Sequence, residues 1–304
     1  MFLFQRQREK ITYGKVKDQV IFSDFLCKLI TNRIHLDLYT ERTAMSAITT
    51  HSSPRAVIFD AYGTLFDVHS VVAAAEQLFP GQGVALSQLW RQKQIEYTQL
   101  RTLADPSGGL YEPFWSITLD ALRFAAARLN LADALSGAAE KRLMDEYACL
   151  SAFPDVVGAL KALRERTRCQ IAILSNGNPQ MLDIAVKSAG MAGLFDHVLS
   201  VDSVRAYKPA PASYALGTQA FGCAARELVF VSSNGWDVAG ATWFGYTTFW
   251  INRAGLPAEQ LGVVPRGTGG GMADLVAFIE DGCRQQDSPT PAKRPKQMRQ
   301  GPGT

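Results

Sequence analysis

The chain has 304 residues, 47% of them hydrophobic and 19% charged, which is enough to bury one large core or two modest ones. Its longest apolar runs, such as Val57 to Phe59 and Ile171 to Leu174, are far shorter than the roughly 20 residues of a membrane span, so no transmembrane segment is predicted. Residues 1–50 contribute +3, residues 284–304 contribute +4 and residues 51–283 carry −4 of a net charge of +3, which reads as solvated termini and not as a nucleic-acid footprint.

Residues 1–44 mix basic and apolar side chains without a signal-peptide layout, because charges continue past Arg6 and Arg8 and no apolar core with a cleavage site follows. The polar stretch from Met45 leads straight into the first strand, so Met45 is expected to be the natural start and residues 1–53 an extension outside the catalytic fold. Ala56-Val57-Ile58-Phe59 is a continuously apolar, β-rich run ending at Asp60, as in a buried parallel strand. Residues 68–150 read as helices with no strong strand, over Val71–Phe79, Leu86–Leu103, Pro113–Leu129 and Ala138–Leu150.

Strand and helix then alternate. Helical patterns over Asp155–Thr167 and Pro179–Ala189 flank Gln170-Ile171-Ala172-Ile173-Leu174, and Leu228-Val229-Phe230-Val231 and Thr247–Ile251 are further strands. The fold class is α/β: a doubly wound, mainly parallel, Rossmann-like sheet over residues 54–67 and 151–283, with a helical cap inserted over 68–150. Residues 284–304, rich in Gln, Pro, Lys and Gly, read as a disordered basic tail. Ligands of such sheets bind beyond the carboxyl ends of the strands, where Asp60, Ser175 and Ser232 are expected to converge under the cap. Five widely spaced cysteines (Cys27, Cys149, Cys169, Cys223, Cys283) without a CxxC pair read as reduced thiols of a cytoplasmic protein, and no His/Cys/Asp cluster has zinc-site spacing.

Four motifs stand in order at strand ends or loops: Asp60-Ala61-Tyr62-Gly63-Thr64, Ser175-Asn176-Gly177, Lys208-Pro209, and Ser232-Ser233-Asn234-Gly235-Trp236-Asp237. Together they resemble the haloacid dehalogenase superfamily, in which the first Asp attacks an electrophilic carbon or phosphorus. Its magnesium-dependent phosphatases usually place a general acid two residues after the nucleophile and two acidic residues in the fourth motif. Here those positions hold Tyr62 and Asn234, with Asp237 remaining. A neutral amide weakens a site for a hard, hydrated ion. A halide, unlike an alkoxide, also leaves without a proton.

Further segments are similar to the (S)-2-haloacid dehalogenases in particular: Leu65 to Val71, Leu89-Trp90-Arg91-Gln92-Lys93-Gln94, and Trp250-Ile251-Asn252-Arg253. The resemblance runs from about Arg55 to about Ile279. It implies hydrolysis of (S)-2-haloalkanoates to (R)-2-hydroxyalkanoates plus halide, through an aspartyl ester on Asp60. It implies catalytic roles for Asp60, Lys208, Asp237, Thr64, Ser232 and Asn234. Substrate or halide contacts are implied for Tyr62, Arg91, Ser175, Asn176, Tyr214 and Trp236, with no cofactor and no metal. The partners implied are a small haloacid and a second copy in a homodimer, with no nucleic acid and no membrane. A phosphatase of the same superfamily and a non-catalytic binding protein of the same fold are the alternatives, while His69 reads as structural.

Overall fold

The structure, a computed structural model, describes residues 54–287. Within them β1 (Ala56–Phe59), β2 (Gln170–Ser175), β3 (His197–Ser200), β4 (Leu228–Ser232), β5 (Thr247–Ile251) and β6 (Gly267–Gly269) form one sheet. All neighbours are parallel, in the order β3-β2-β1-β4-β5-β6. Every residue of β1 and β4 is buried, as apolar strands covered on both faces must be.

The covering helices follow from the crossovers that parallel strands require. α1 (Val72–Leu78), α2 (Gly83–Ala104), α3 (Phe114–Arg128), α4 (Gly137–Ala148) and α5 (Val156–Arg166) lie between β1 and β2. α6 (Pro179–Ser188), α7 (Pro211–Phe221), α8 (Gly235–Phe244) and α9 (Met272–Asp287) come later in the chain. α5 and α9 pack together on the sheet, and α7 and α8 form a second pair on it. The result is the expected doubly wound α/β core.

α1 to α4 pack on one another. Leu86, Ile117, Leu122 and Leu143 are fully buried, and the Trp90 ring lies 5.0 Å from that of Tyr147. The Trp90 indole donates to the Thr118 carbonyl at 2.7 Å, so the one polar atom of this large ring is satisfied. α4 is started by Ser136, whose hydroxyl accepts from the Ala139 amide at 3.2 Å.

Three details differ from the pattern reading. β3 is a half-exposed edge strand and β6 is Gly-Thr-Gly, so neither carries an apolar run. α9 continues to Asp287, into the segment read from composition as tail, because Arg and Gln propagate a helix well once Leu275 and Ile279 anchor it. The extension over residues 1–53, the start at Met45 and the tail beyond 287 lie outside the described residues. Among the described residues, no helix is long and apolar enough to cross a membrane.

Candidate active site

The strand order reverses at β1: the chain passes from β1 to β2 on one side and later returns to β4 on the other. This switch point leaves a crevice beyond the strand ends. The Asp60 amide extends the ladder by donating to the Val231 carbonyl at 2.9 Å, which places the carboxylate at the mouth. The loop that follows is folded tightly on Ala61, whose carbonyl accepts from Leu65 and Phe66 at 2.9 and 3.0 Å. Gly63 sits in this loop at φ +95, a conformation that other residues adopt only with strain.

Asp60 is almost fully buried and both of its oxygens are occupied. Oδ1 accepts from Lys208 Nζ at 2.9 Å, while Oδ2 accepts from the Thr64 hydroxyl at 2.8 Å and Asn234 Nδ2 at 2.9 Å. The Lys208 ammonium also reaches Asp237 Oδ2 at 2.8 Å, so one cation bridges two carboxylates. Asp237 Oδ1 accepts from the Tyr214 hydroxyl at 2.7 Å. Lys208, Asp237 and Tyr214 have no solvent exposure.

A buried charge is tolerated only when it is paired and hydrogen-bonded. Burial drives the Lys208 ammonium toward neutrality, but Asp237 and then Asp60 outweigh it and hold its pKa above the ordinary lysine value. Burial raises the Asp237 carboxyl above its ordinary value, opposed by Lys208. Asp237 sits in the first turn of α8, where the helix dipole favours negative charge. With Lys208 on one oxygen and Tyr214 on the other, Asp237 is not presented as a free metal-binding carboxylate. Among the described residues no group of three His, Cys, Asp or Glu side chains forms a metal site.

A hydroxyl layer orders the loops. The Ser233 amide donates to Thr64 Oγ1 at 2.9 Å, and the Asn234 amide donates to the Ser232 hydroxyl at 3.1 Å. Asn176 Oδ1 accepts the Lys208 amide at 3.0 Å, and Ser175 Oγ accepts the Gly177 amide at 3.0 Å. Ser175 and Asn176 thus stand at the end of β2 beside the lysine loop.

The helices after β1 contribute Arg91, from α2. One terminal nitrogen, Nη2, donates to the Tyr62 carbonyl at 2.8 Å and approaches Asn234 Oδ1 at 3.4 Å. The other, Nη1, donates to Gln94 Oε1 at 2.8 Å. A fixed, planar cation is thereby tied to both the helical layer and the loop after Asp60. The Tyr62 ring stacks on Tyr147 with centroids 5.9 Å apart and lies 5.3 Å from Phe114. Its hydroxyl is buried and has no hydrogen-bond partner among the described residues, and burial pushes its pKa upward. An ideal Cβ at Gly177 would come within 2.7 Å of the Tyr62 ring, so a side chain there would displace it.

Eleven of the sequence-predicted site residues therefore gather around Asp60 or on the loops that hold Lys208. Trp236 follows in the first turn of α8, half-buried, without a hydrogen-bond or ring partner among the described residues. His69 is exposed and its Nδ1 lies 3.0 Å from the Ser87 hydroxyl, in keeping with a structural role.

Sequence reasoning did not single out Gln94, Thr118, Tyr147 or Arg253. The Arg253 guanidinium donates to the Thr64 carbonyl at 3.2 Å, the Ser233 hydroxyl at 3.0 Å and Asp155 at 3.1 Å, so it braces the loop after Asp60. Only the resemblance of the Trp250-to-Arg253 segment pointed toward it.

The family model for haloacid dehalogenase-like hydrolases matches residues 54–245. The chain is 48% identical over 224 residues to haloacetate dehalogenase H-2 of Moraxella sp. (strain B), covering 74% of this chain and 97% of the relative. It is 46% identical over 211 residues to the (S)-2-haloacid dehalogenase of Pseudomonas sp. (strain YL), covering 69% and 88%. Among solved structures, the L-2-haloacid dehalogenase RSc1362 is 65% identical with a TM-score of 0.73, over 75% of this chain and all of that one. The Xanthobacter autotrophicus L-2-haloacid dehalogenase with chloropropionic acid covalently bound is 36% identical with a TM-score of 0.68, over 74% and 98%.

Proposed function

Because the chain belongs to the haloacid dehalogenase-like hydrolases, among their (S)-2-haloacid dehalogenases, we propose that it hydrolyses (S)-2-haloalkanoates to (R)-2-hydroxyalkanoates with Asp60 as covalent nucleophile. The observation that carries this reading is the bridging ammonium: Lys208 holds Asp60 at 2.9 Å and Asp237 at 2.8 Å, and neither Lys208 nor Asp237 is exposed to solvent. A cation beside a carboxylate favours its charged form. That is the form a nucleophile needs.

In the first step an Asp60 oxygen attacks C2 of the substrate from the side opposite the halogen. The carbon–halogen bond breaks, the halide leaves with the electron pair, and C2 inverts. In the second step water attacks the carboxyl carbon of the aspartyl ester, and the hydroxyacid leaves with its own C2–O bond intact. The balance is one haloacid and one water to one hydroxyacid, one halide and one proton.

Lys208 orients the Asp60 carboxylate for attack in the first step and stays beside its esterified carboxyl group in the second. Asp237 orients Lys208 and accepts a proton from the attacking water, and Thr64, Ser232 and Asn234 fix the loop and the water. Arg91 receives the halide with Asn176 and Trp236, its planar guanidinium presenting fixed N–H donors to the anion. Ser175, with amides near Tyr62 and Asn176, takes the substrate carboxylate. Tyr214 holds Asp237, which its 2.7 Å bond supports. The unpartnered Tyr62 hydroxyl supports substrate contact there, because a buried donor left unsatisfied costs about 1–3 kcal/mol until a ligand meets it.

The α1–α4 segment acts as the cap that excludes water, the remaining described residues forming the core. The protein works as a cytoplasmic homodimer, which its reduced-thiol cysteine usage and its family likeness support; light scattering at one elution peak tests the dimer. The activity is tested by incubating the protein with racemic 2-chloropropionate in EDTA, measuring chloride and resolving the product. Chloride from the (S)-enantiomer alone, yielding (R)-lactate, is expected. No chloride here, together with magnesium-dependent phosphate release from a general phosphate ester in a separate EDTA-free assay, would replace this reading with the phosphatase.

A further inference from the structure

Gln94 lies on α2 three residues after Arg91, a spacing that puts both side chains on one helix face. It has no solvent exposure, yet its amide has three partners. Nε2 donates to the Thr118 hydroxyl at 2.6 Å, and Oε1 accepts both from Arg91 Nη1 at 2.8 Å and from the Tyr147 hydroxyl at 3.0 Å. The orientation of the amide is settled by its neighbours. Thr118 donates its only hydroxyl hydrogen to the Phe114 carbonyl at 2.7 Å, so toward Gln94 it acts only as an acceptor. It therefore faces the NH2 group, and the amide oxygen must face the guanidinium.

Three helices thus converge on one neutral amide: α2 carries Gln94, α3 meets its NH2 group through Thr118, and α4 meets its oxygen through Tyr147. A glutamate at this position would keep an acceptor for Arg91 but would pair with it as an ion, and it would give up the donor to Thr118. That pairing would consume the charge on the guanidinium. The choice of a buried amide keeps the arginine fixed without neutralising it.

We infer that Gln94 is a positioning residue for the dehalogenation, a neutral buried acceptor that aims Arg91 at the departing halide and leaves its positive charge for that anion. The inference rests on the proposed role of Arg91 as halide acceptor. Gln94 touches no reacting atom, and its effect is read through Arg91. It sets how well the site stabilises a poor leaving group.

The test is single-turnover halide release from (S)-2-chloropropionate and (S)-2-bromopropionate, compared as a bromo-to-chloro rate ratio, for the wild type, Arg91→Lys, Gln94→Glu and Gln94→Met. Bromide leaves more readily than chloride, so loss of halide stabilisation raises the ratio. Gln94→Glu and Gln94→Met are expected to slow chloride release roughly 10–100-fold, the scale of a misplaced or neutralised catalytic group, with bromide release slowed less and KM little changed. Gln94→Glu keeps the acceptor for Arg91 and adds a charge while losing the donor to Thr118, and Gln94→Met loses both; a Gln94 that only packs the helices would slow chloride and bromide release alike and leave the ratio at the wild-type value.

A raised ratio in Arg91→Lys with an unchanged ratio in both folded Gln94 variants would overturn this inference while sparing the role of Arg91. An unchanged ratio in Arg91→Lys itself would overturn both. If neither Gln94 variant folds, Tyr147→Phe, which removes one of the two donors to Oε1, carries the test, and an unchanged ratio there counts against the inference.

Discussion

At the scale of single residues, the site is a problem in buried charge. Asp60, Lys208 and Asp237 are each costly to bury alone, and together they compensate one another. Lys208→Met is expected to lower chloride release by at least about 10³-fold, as loss of one member of a catalytic unit does. It should also destabilise the fold by about 3–5 kcal/mol, because two carboxylates remain without their cation. Denaturant titration checks the second effect, and adding Asp237→Asn should recover part of it, since neighbouring sites are not additive. These three residues were legible in the sequence because each stands in a motif at a strand end or loop. Gln94 and Tyr147 were not, because a buried glutamine on a helix looks like any other polar residue until the arginine beside it is placed.

At the scale of elements, short buried strands carry the site to one place. Ile58→Ala in β1, where Ile58 is fully buried between β2 and β4, is expected to cost about 2–5 kcal/mol. Gly177→Ala should cost about 1–3 kcal/mol and disturb substrate binding at the same time, because the added methyl group would run into the Tyr62 ring. Thermal unfolding together with KM for 2-chloropropionate reads both effects. β1, β2, β4 and β5 were legible as apolar β-branched runs, since strands buried on both faces have little room for polar side chains. β3 and β6 were not. One is a half-exposed edge and the other consists of three residues with two glycines, so their pairing is imposed by the sheet and not by local preference.

At the scale of the whole molecule, pH acts through the same buried pair. The Lys208 pKa is raised on folding, so its contribution to stability is complete below its ordinary value of 10.5 and is lost only as pH climbs through the higher folded value. Deprotonation of Lys208 therefore should not limit activity in the neutral or mildly alkaline range. The Asp237 pKa is raised above 3.8, so its contribution to stability is present below that value and is lost as pH rises through the folded one. For activity the sign is opposite: acid protonates Asp237 and removes the acceptor that orients Lys208. A profile of kcat from about pH 4 to about pH 10 should show an acid limb and then a plateau. The alternating order of helix and strand made the doubly wound architecture legible, whereas the interlocking of α2, α3 and α4 on one amide depends on contacts between distant residues that no local pattern encodes.

In the proposed mechanism a carboxylate, and not a water molecule, displaces the halide. A single turnover of (S)-2-chloropropionate with excess enzyme in ¹⁸O-labelled water, followed by mass analysis of lactate and of the peptide containing Asp60, tests it most directly. One heavy oxygen in the Asp60 carboxylate and none in the lactate is expected. Heavy oxygen in the lactate with an unlabelled Asp60 would contradict it.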